Sequence, residues 1–326
     1  MFPPSNAWIR ACAVGLLISM GVAATNFRVF ADPPAALYEV ERTADVRFGD
    51  LPESSGLCDI YLPQPIEPAE SDSQPRWPVV LVVHGGGWAT GDKWSMGRHA
   101  RQLAQHGFAA IAINYRLAPA AKFPTQVDDL RTALVWTNEQ ASQYGFDLEH
   151  VGLYGYSAGG HLVSLIATLA DESWNRVAPT TDWPRDDPRW GKLPKIAAVC
   201  IGGPPTDFRQ LPLDNTTLAY FLGGSRREKP QVYAAASPVC FVSPTDPPFQ
   251  IIHGAADGLV SIDQAQAFHQ ALVDANVQSA FETLPKRGHL LAFISPQLTT
   301  TMLDFFHQQL DRNPANGGSS VQASSE

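Results

Sequence analysis

Gly155-Tyr156-Ser157-Ala158-Gly159-Gly160 joins a strand-like run, Val151 to Tyr154, to a helix-like run, His161 to Ala170. A strand that reverses sharply into a helix at a serine leaves that hydroxyl at the C-terminal edge of a sheet. Glycines flank such a turn because side chains would collide with the reversing backbone. G-x-S-x-G alone arises by chance, so the weight lies in what surrounds it: a strand before, a helix after, and partners further along the chain.

Outward from this point, apolar strands alternate with amphipathic helices. Residues 38–62 read as two strands, and Pro63 to Pro78 as a polar surface loop. Val79 to Val83, Ala109 to Asn114, Ile196 to Ile201, Phe249 to His253 and Ala280 to Leu284 read as further strands. Arg98 to His106, Pro124 to Gln143, Asp263 to Ala275 and Gln297 to Leu310 read as helices. This alternation predicts an α/β fold: a mostly parallel sheet with helices on both faces, filling one domain over residues 32–312. Residues 171–194 break the rhythm, with Trp174, Trp183 and Trp190 set among Pro, Asp and Arg. They read as an insertion, either a lid or substrate platform or a surface loop pinned by its tryptophans.

The chain has 326 residues, 44% of them hydrophobic and 17% charged, and a formal net charge of −9. It carries no basic run, which speaks against nucleic acid as a partner. Arg10 is the sole charge before a mostly apolar stretch, Ala11 to Ala24, too short for a comfortable membrane span and suited to an export signal. Cleavage after Ala24 or Ala31 is expected, giving a signal peptide within 1–31, no integral membrane segment in the mature chain, and a secreted or periplasmic product. Losing Arg10 and Arg28 takes the net charge from −9 to −11, which favours neutral or weakly charged substrates over polyanions. The polar tail 313–326 is expected to be disordered. Cys58, Cys200 and Cys240 would remain after cleavage. Their disulfide status cannot be read from sequence, and no Cys/His cluster has zinc spacing, so no metal is expected.

A serine hydroxyl becomes a nucleophile when an imidazole takes its proton, and the imidazole needs a carboxylate to fix its tautomer and stabilise its charge. In folds of this layout the three follow the order Ser, acid, His. Asp257 lies in a loop leaving an apolar strand at its C-terminal end, whereas Asp246 precedes its strand and Asp263 suits a helix start. His289 follows the last strand and precedes the last helix. His84 is read as a loop-holding residue, and His161, four residues past Ser157, as packing or support. The tetrahedral intermediate also needs donors for its oxyanion. The run His84-Gly85-Gly86-Gly87-Trp88 follows a strand, so its N–H groups can complete such a hole with that of Ala158. Trp88 either walls the substrate pocket or packs the glycine loop; Tyr156, Asp207 and Phe208 are further candidates for the pocket, with Tyr220 near them. Arg116 and Asp129 read as a structural ion pair.

These segments, together with Asn114-Tyr115-Arg116-Leu117-Ala118-Pro119 and His253-Gly254-Ala255-Ala256-Asp257, resemble the α/β-hydrolase esterases of the hormone-sensitive-lipase-like group. The HGGGW and GxSAGGH forms are most similar to its feruloyl/acetyl-xylan-esterase-like branch. The resemblance runs over roughly residues 40–310 and implies a cofactor-free esterase in which Gly86, Gly87 and Ala158 hold the oxyanion. Many members carry a helical cap before the glycine run. Here residues 25–80 read as short and strand-rich, which points to an open site and short acyl chains. The expectation is an exported serine carboxylesterase acting on a small-molecule or saccharide ester, with acetyl groups of polysaccharides as a natural target suggested by resemblance and export. An amide hydrolase on the same triad, of the peptidase or arylformamidase kind, and a non-catalytic binding protein on a hydrolase scaffold are the alternatives.

Overall fold

The computed structural model describes residues 36–66, 76–211, 213 and 215–311. The export signal read at 1–31 and the tail read at 313–326 lie outside the described residues. The strands are β1 (Glu39–Arg47), β2 (Leu57–Gln64), β3 (Trp77–Val83), β4 (Ala109–Ile113), β5 (Phe146–Tyr156), β6 (Ile196–Gly202), β7 (Phe249–Gly254) and β8 (Ser279–Leu284). They form one sheet in the order β1-β2-β4-β3-β5-β6-β7-β8. Pairing is antiparallel for β1 with β2 and β2 with β4, and parallel from β4 through β8.

The helices are α1 (Gly97–Gln105), α2 (Thr125–Glu139), α3 (Ala141–Tyr144), α4 (Ala158–Thr168), α5 (Trp174–Val177), α6 (Thr216–Leu222), α7 (Pro230–Ala235), α8 (Ile262–Asp274), α9 (His289–Phe293) and α10 (Pro296–Leu310). Successive strand side chains point to opposite faces, and β3 divides accordingly. Val79, Leu81 and Val83 join a core with Leu130 of α2, Leu162 of α4 and Phe268 of α8. Val80 and Val82 join a second core with Leu103 of α1 and Leu303 and Phe306 of α10. Burial on both faces explains why the central strands are apolar without alternation. The fold class read from the sequence is therefore the observed one.

Some boundaries differ. The helix read over 124–143 is two pieces, because Gln140 (φ −95°, ψ 2°) interrupts it and Gly145 ends the second piece in a left-handed conformation. The insertion at 171–194 packs against α2. Arg131 donates to Asp128 and to the Thr180 carbonyl, and Asp128 accepts from the Thr181 hydroxyl and the Asp182 N–H. Further on, Asn138 donates to the Lys192 carbonyl, and Arg189 lies over the Trp183 ring at 3.9 Å. Cys58, Cys200 and Cys240 are free thiols; burial pushes that of Cys58 up to about 12 and that of Cys200 well above its usual range.

Candidate active site

Parallel register brings several strand ends to one edge. Tyr156 of β5 stands opposite Gly202 of β6, Gly202 opposite Ile252 of β7, and Gly254 of β7 opposite Leu284 of β8. Ser157 follows β5 with φ 55° and ψ −120°, a conformation that a side-chain-bearing residue adopts only under constraint. The constraint is visible: the Ser157 N–H donates to Gly202 O at 2.7 Å, and α4 begins at the next residue. The glycines are required by close approach. A Cβ on Gly159 would sit 2.1 Å from the Val83 carbonyl oxygen, and one on Gly155 would sit 2.4 Å from Gly159 backbone.

The glycine run passes directly over this turn. A Cβ on Gly85 would lie 3.1 Å from the Ser157 Cβ. Gly86, Gly87 and Trp88 all have positive φ (117°, 59° and 60°), and Gly86 O closes the turn by accepting the N–H groups of Ala89 and Thr90. Glycine adopts such a backbone freely, whereas Trp88 adopts it only under constraint. Ala158 adds the free N–H of a helix first turn and its partial positive charge. Gly85 thus lies against Ser157, with Gly86 and Gly87 next to it in the chain and Ala158 opening α4.

Asp257, in the loop after β7, meets His289 at the start of α9. The His289 Nδ1–H donates to Asp257 Oδ2 at 2.6 Å. Asp257 Oδ1 accepts the N–H groups of Leu259 and Val260 at 2.9 and 3.0 Å, and His253 Nε2 stands 3.3 Å from Oδ2. Burial alone would raise the Asp257 pKa, but the hydrogen bonds from His253, His289, Val260 and Leu259 outweigh it and hold the carboxyl well below the usual range. Its folded pKa lies under the unfolded one, so the carboxylate stabilises the fold at all pH above roughly 3.9 and loses this only in stronger acid. With Nδ1 protonated and bound, Nε2 of His289 is the nitrogen left for proton transfer.

His289 is not in an open loop, as read from sequence, but is the first residue of α9. Its ring rests on Gly203, where a Cβ would lie 3.0 Å from Cε1, and beside the Tyr156 ring at 5.1 Å. The Tyr156 hydroxyl donates to the His289 carbonyl at 2.5 Å. Tyr156, the residue before Ser157, therefore positions His289.

The four pocket candidates need correction. Trp88, Tyr156, Asp207 and Phe208 are 5%, 4%, 7% and 0% exposed, so their side chains support the site from below rather than line an opening. Asp207 caps the turn at Phe208–Gln210 and pairs with Arg209. Trp88 stacks on Phe221 at 4.6 Å and donates from Nε1 to His161 Nδ1 at 3.1 Å, while His161 Nε2–H donates to Ala236 O at 2.7 Å. His161 is thus a neutral relay that ties the glycine loop to α4. His84 holds the start of the loop through Nδ1 to Gly85 O at 2.7 Å, and Arg116 pairs with Asp129. Tyr220 is exposed, as are Leu259, Leu290, Leu291 and Ile294, which give the acid and base loops an apolar outer surface. Away from the site, Asp147, Glu149 and His150 bring ligand-type atoms within 4.8 Å of one another, a closeness the His150–Asp147 hydrogen bond accounts for.

Burial lowers the His161 pKa to about 4. Between that value and the unfolded value near 6.5 the unfolded chain binds the extra proton, so stability is complete above about pH 6.5 and falls as pH drops, by about 1.4 kcal/mol per pH unit. His161→Gln keeps one acceptor for Trp88 and one donor for Ala236 but does not titrate. Urea midpoints measured near pH 7 and pH 5 should show the variant losing about 2 kcal/mol less than the wild type. Parallel losses would mean that His161 takes up its proton as readily in the folded chain as in the unfolded one.

A family model described as BD-FAE matches residues 58–272. "Probable carboxylic ester hydrolase LipM" of Mycobacterium tuberculosis is 32% identical over 222 residues, covering 65% of this chain and 49% of that protein. "Esterase LipC" of the same organism is 27% identical over 269 residues, covering 80% of this chain and 58% of that protein. The chain therefore matches about half the length of these curated relatives. Among solved structures, a truncated form of a carbohydrate esterase from gut microbiota superposes with a TM-score of 0.72 at 24% identity, over 86% of this chain and 99% of that one, a likeness of fold.

Proposed function

We propose that this chain, which belongs to the BD-FAE family, is a serine carboxylic-ester hydrolase working through Ser157, His289 and Asp257. The observation that carries this reading is the His289–Asp257 hydrogen bond of 2.6 Å beside a serine held at φ 55° under a glycine loop. The ester names of the mycobacterial relatives support the bond class.

In the reaction the Ser157 Oγ attacks the ester carbonyl carbon while His289 Nε2 accepts its proton. Asp257 keeps Nδ1 protonated and stabilises the imidazolium. The carbonyl oxygen gains the electron pair and is met by the N–H groups of Gly86, Gly87 and Ala158. Each such donor is worth about 10²–10³ in rate. Collapse expels the alcohol, which takes the proton from His289 and leaves an acyl-serine. Water, deprotonated by the same nitrogen, then releases the acid and restores Ser157.

The acyl group is read as short. Among the described residues, the segment before the glycine loop forms β1, β2 and 3-10 turns rather than a helical cap, which supports an open cleft. Acetyl esters of polysaccharides are the proposed natural target, and export is proposed from residues 1–31. A ladder of p-nitrophenyl esters from acetate to laurate tests the reading. kcat/KM should peak at acetate or butyrate and fall at least about tenfold by octanoate, since each methylene without a pocket forfeits its burial energy. Preference for laurate would overturn the short-chain assignment. Faster turnover of p-nitroacetanilide than of the acetate ester would move the reaction to amides.

A further inference from the structure

A cavity of about 710 Å³ opens on the flank of the molecule, between the insertion, α2, the end of α4 and the start of β6. Its volume falls within the range of small-molecule sites, roughly 300–1,000 Å³. It is remote from Ser157. Ile196, which lines it, opens β6, and Gly202, which accepts the Ser157 N–H, closes the same strand. Six strand steps put about 20 Å between them. The mechanism uses none of its residues.

The lining has a distinctive chemistry. Leu134, Ile166 and Leu169 form an apolar floor. Trp174 and Trp190 meet at 86° with ring centroids 6.1 Å apart, forming an aromatic corner, and Arg131 covers one side of Trp190 at 5.1 Å. The rim carries both signs of charge. Asp171 and Glu172 lie on one part of it, and Arg185 and Lys195 on another. Glu172 pairs with Arg176 at 2.7 Å, while Asp171, Arg185 and Lys195 have no hydrogen-bond or ion-pair partner among the described residues. The field near Asp171 and Glu172 is negative enough to help burial push nearby Asp246 up to about 6.

An anionic ligand meets repulsion from the acidic part, and a cationic one from Arg185 and Lys195. A neutral ring with many hydroxyls satisfies both parts at once, donating to the carboxylate and accepting from the cations. Its C–H face suits the negative faces of the indoles. We propose that this cavity is a second, non-catalytic binding site for a neutral saccharide chain, holding the polymer while Ser157 works at the opposite edge of the sheet. The tethering role rests on the saccharide-ester reading above; the binding does not.

The test uses the full chain carrying Ser157→Ala, titrated calorimetrically with xylo-oligosaccharides of increasing length. Binding is expected, with Kd raised about tenfold or more by Trp174→Ala, the loss of about 1.4 kcal/mol. Because Trp174 also packs the insertion, the exposed double variant Asp171→Ala/Arg185→Ala is run beside it and should weaken binding similarly. On the Ser157 background both variants should leave p-nitrophenyl acetate turnover within about twofold, as distant sites act independently. No binding at any length, or binding indifferent to both variants, overturns the site. Variant-sensitive binding without release of acetate from acetylated xylan upholds the site while sinking the polysaccharide substrate. Acetate release with variant-insensitive binding does the reverse.

Discussion

Ser157→Ala is expected to lower kcat on p-nitrophenyl acetate by roughly 10⁶-fold, the scale seen when the nucleophile of such a triad is removed. No neighbouring hydroxyl can substitute, because the attack position is defined by one backbone turn. The Ser157 N–H is fixed to Gly202 O at 2.7 Å, and the glycine loop passes 3.1 Å from the Ser157 Cβ at the position of a Gly85 side chain. The residue must also tolerate φ 55°, which alanine does about as poorly as serine, so the urea midpoint should move little. The diagnostic comparison is labelling by a fluorophosphonate probe: complete for the wild type and absent for the variant. A variant retaining a tenth of the activity would remove Ser157 from the chemistry.

Asp257→Asn should cost about 10⁴-fold in kcat, the scale of that replacement in a serine triad. The orientation of the new amide is dictated by its surroundings. Leu259 and Val260 N–H groups point at Oδ1, so the asparagine oxygen must stay there. Its NH₂ then takes the Oδ2 position, where His289 Nδ1–H needs an acceptor, while His253 Nε2–H keeps the Val260 carbonyl at 2.9 Å. Donor faces donor, and His289 escapes by moving its proton to Nε2, the nitrogen that should receive the serine proton. KM should change far less than kcat, because the carboxylate does not touch the ester. A loss carried mainly by KM, or a kcat within about tenfold of the wild type, would show that another group orients His289.

Much of this arrangement was legible in the sequence because the reacting groups lie on strand ends. Apolar runs such as Val79 to Val83 mark parallel strands, parallel strands share one C-terminal edge, and Ser157, Asp257 and His289 each follow such a run. The glycine positions were legible for the same reason: Gly159 and Gly155 are needed where backbone meets backbone. What failed was the reading of large side chains near the serine. Trp88 could be read either as a pocket wall or as packing for the loop, and Phe208 was placed at the pocket because it follows β6, but a wide ring close to a tight turn serves equally to brace it. Their burial depends on Phe221 and His161, which arrive from distant segments. The grip of the Tyr156 hydroxyl on the His289 carbonyl spans 133 positions and leaves no local pattern. His253 was visible beside Asp257 in the quoted segment, four residues away, and a strand-end histidine so placed was the one signal left unread.

The acid and the base depend on the outermost strands of the sheet. His289 follows β8, which among the described residues pairs only with β7 and has half-exposed side chains. Regions of few buried contacts open at a lower free energy than the whole molecule. Detachment of this one edge would part His289 from Asp257 and take Leu284 out of the core on α10, while the buried centre of the core on α2 stays in place. Catalytic competence is accordingly a property of a marginal subregion, and the enzyme should fall silent under denaturant before its globule comes apart.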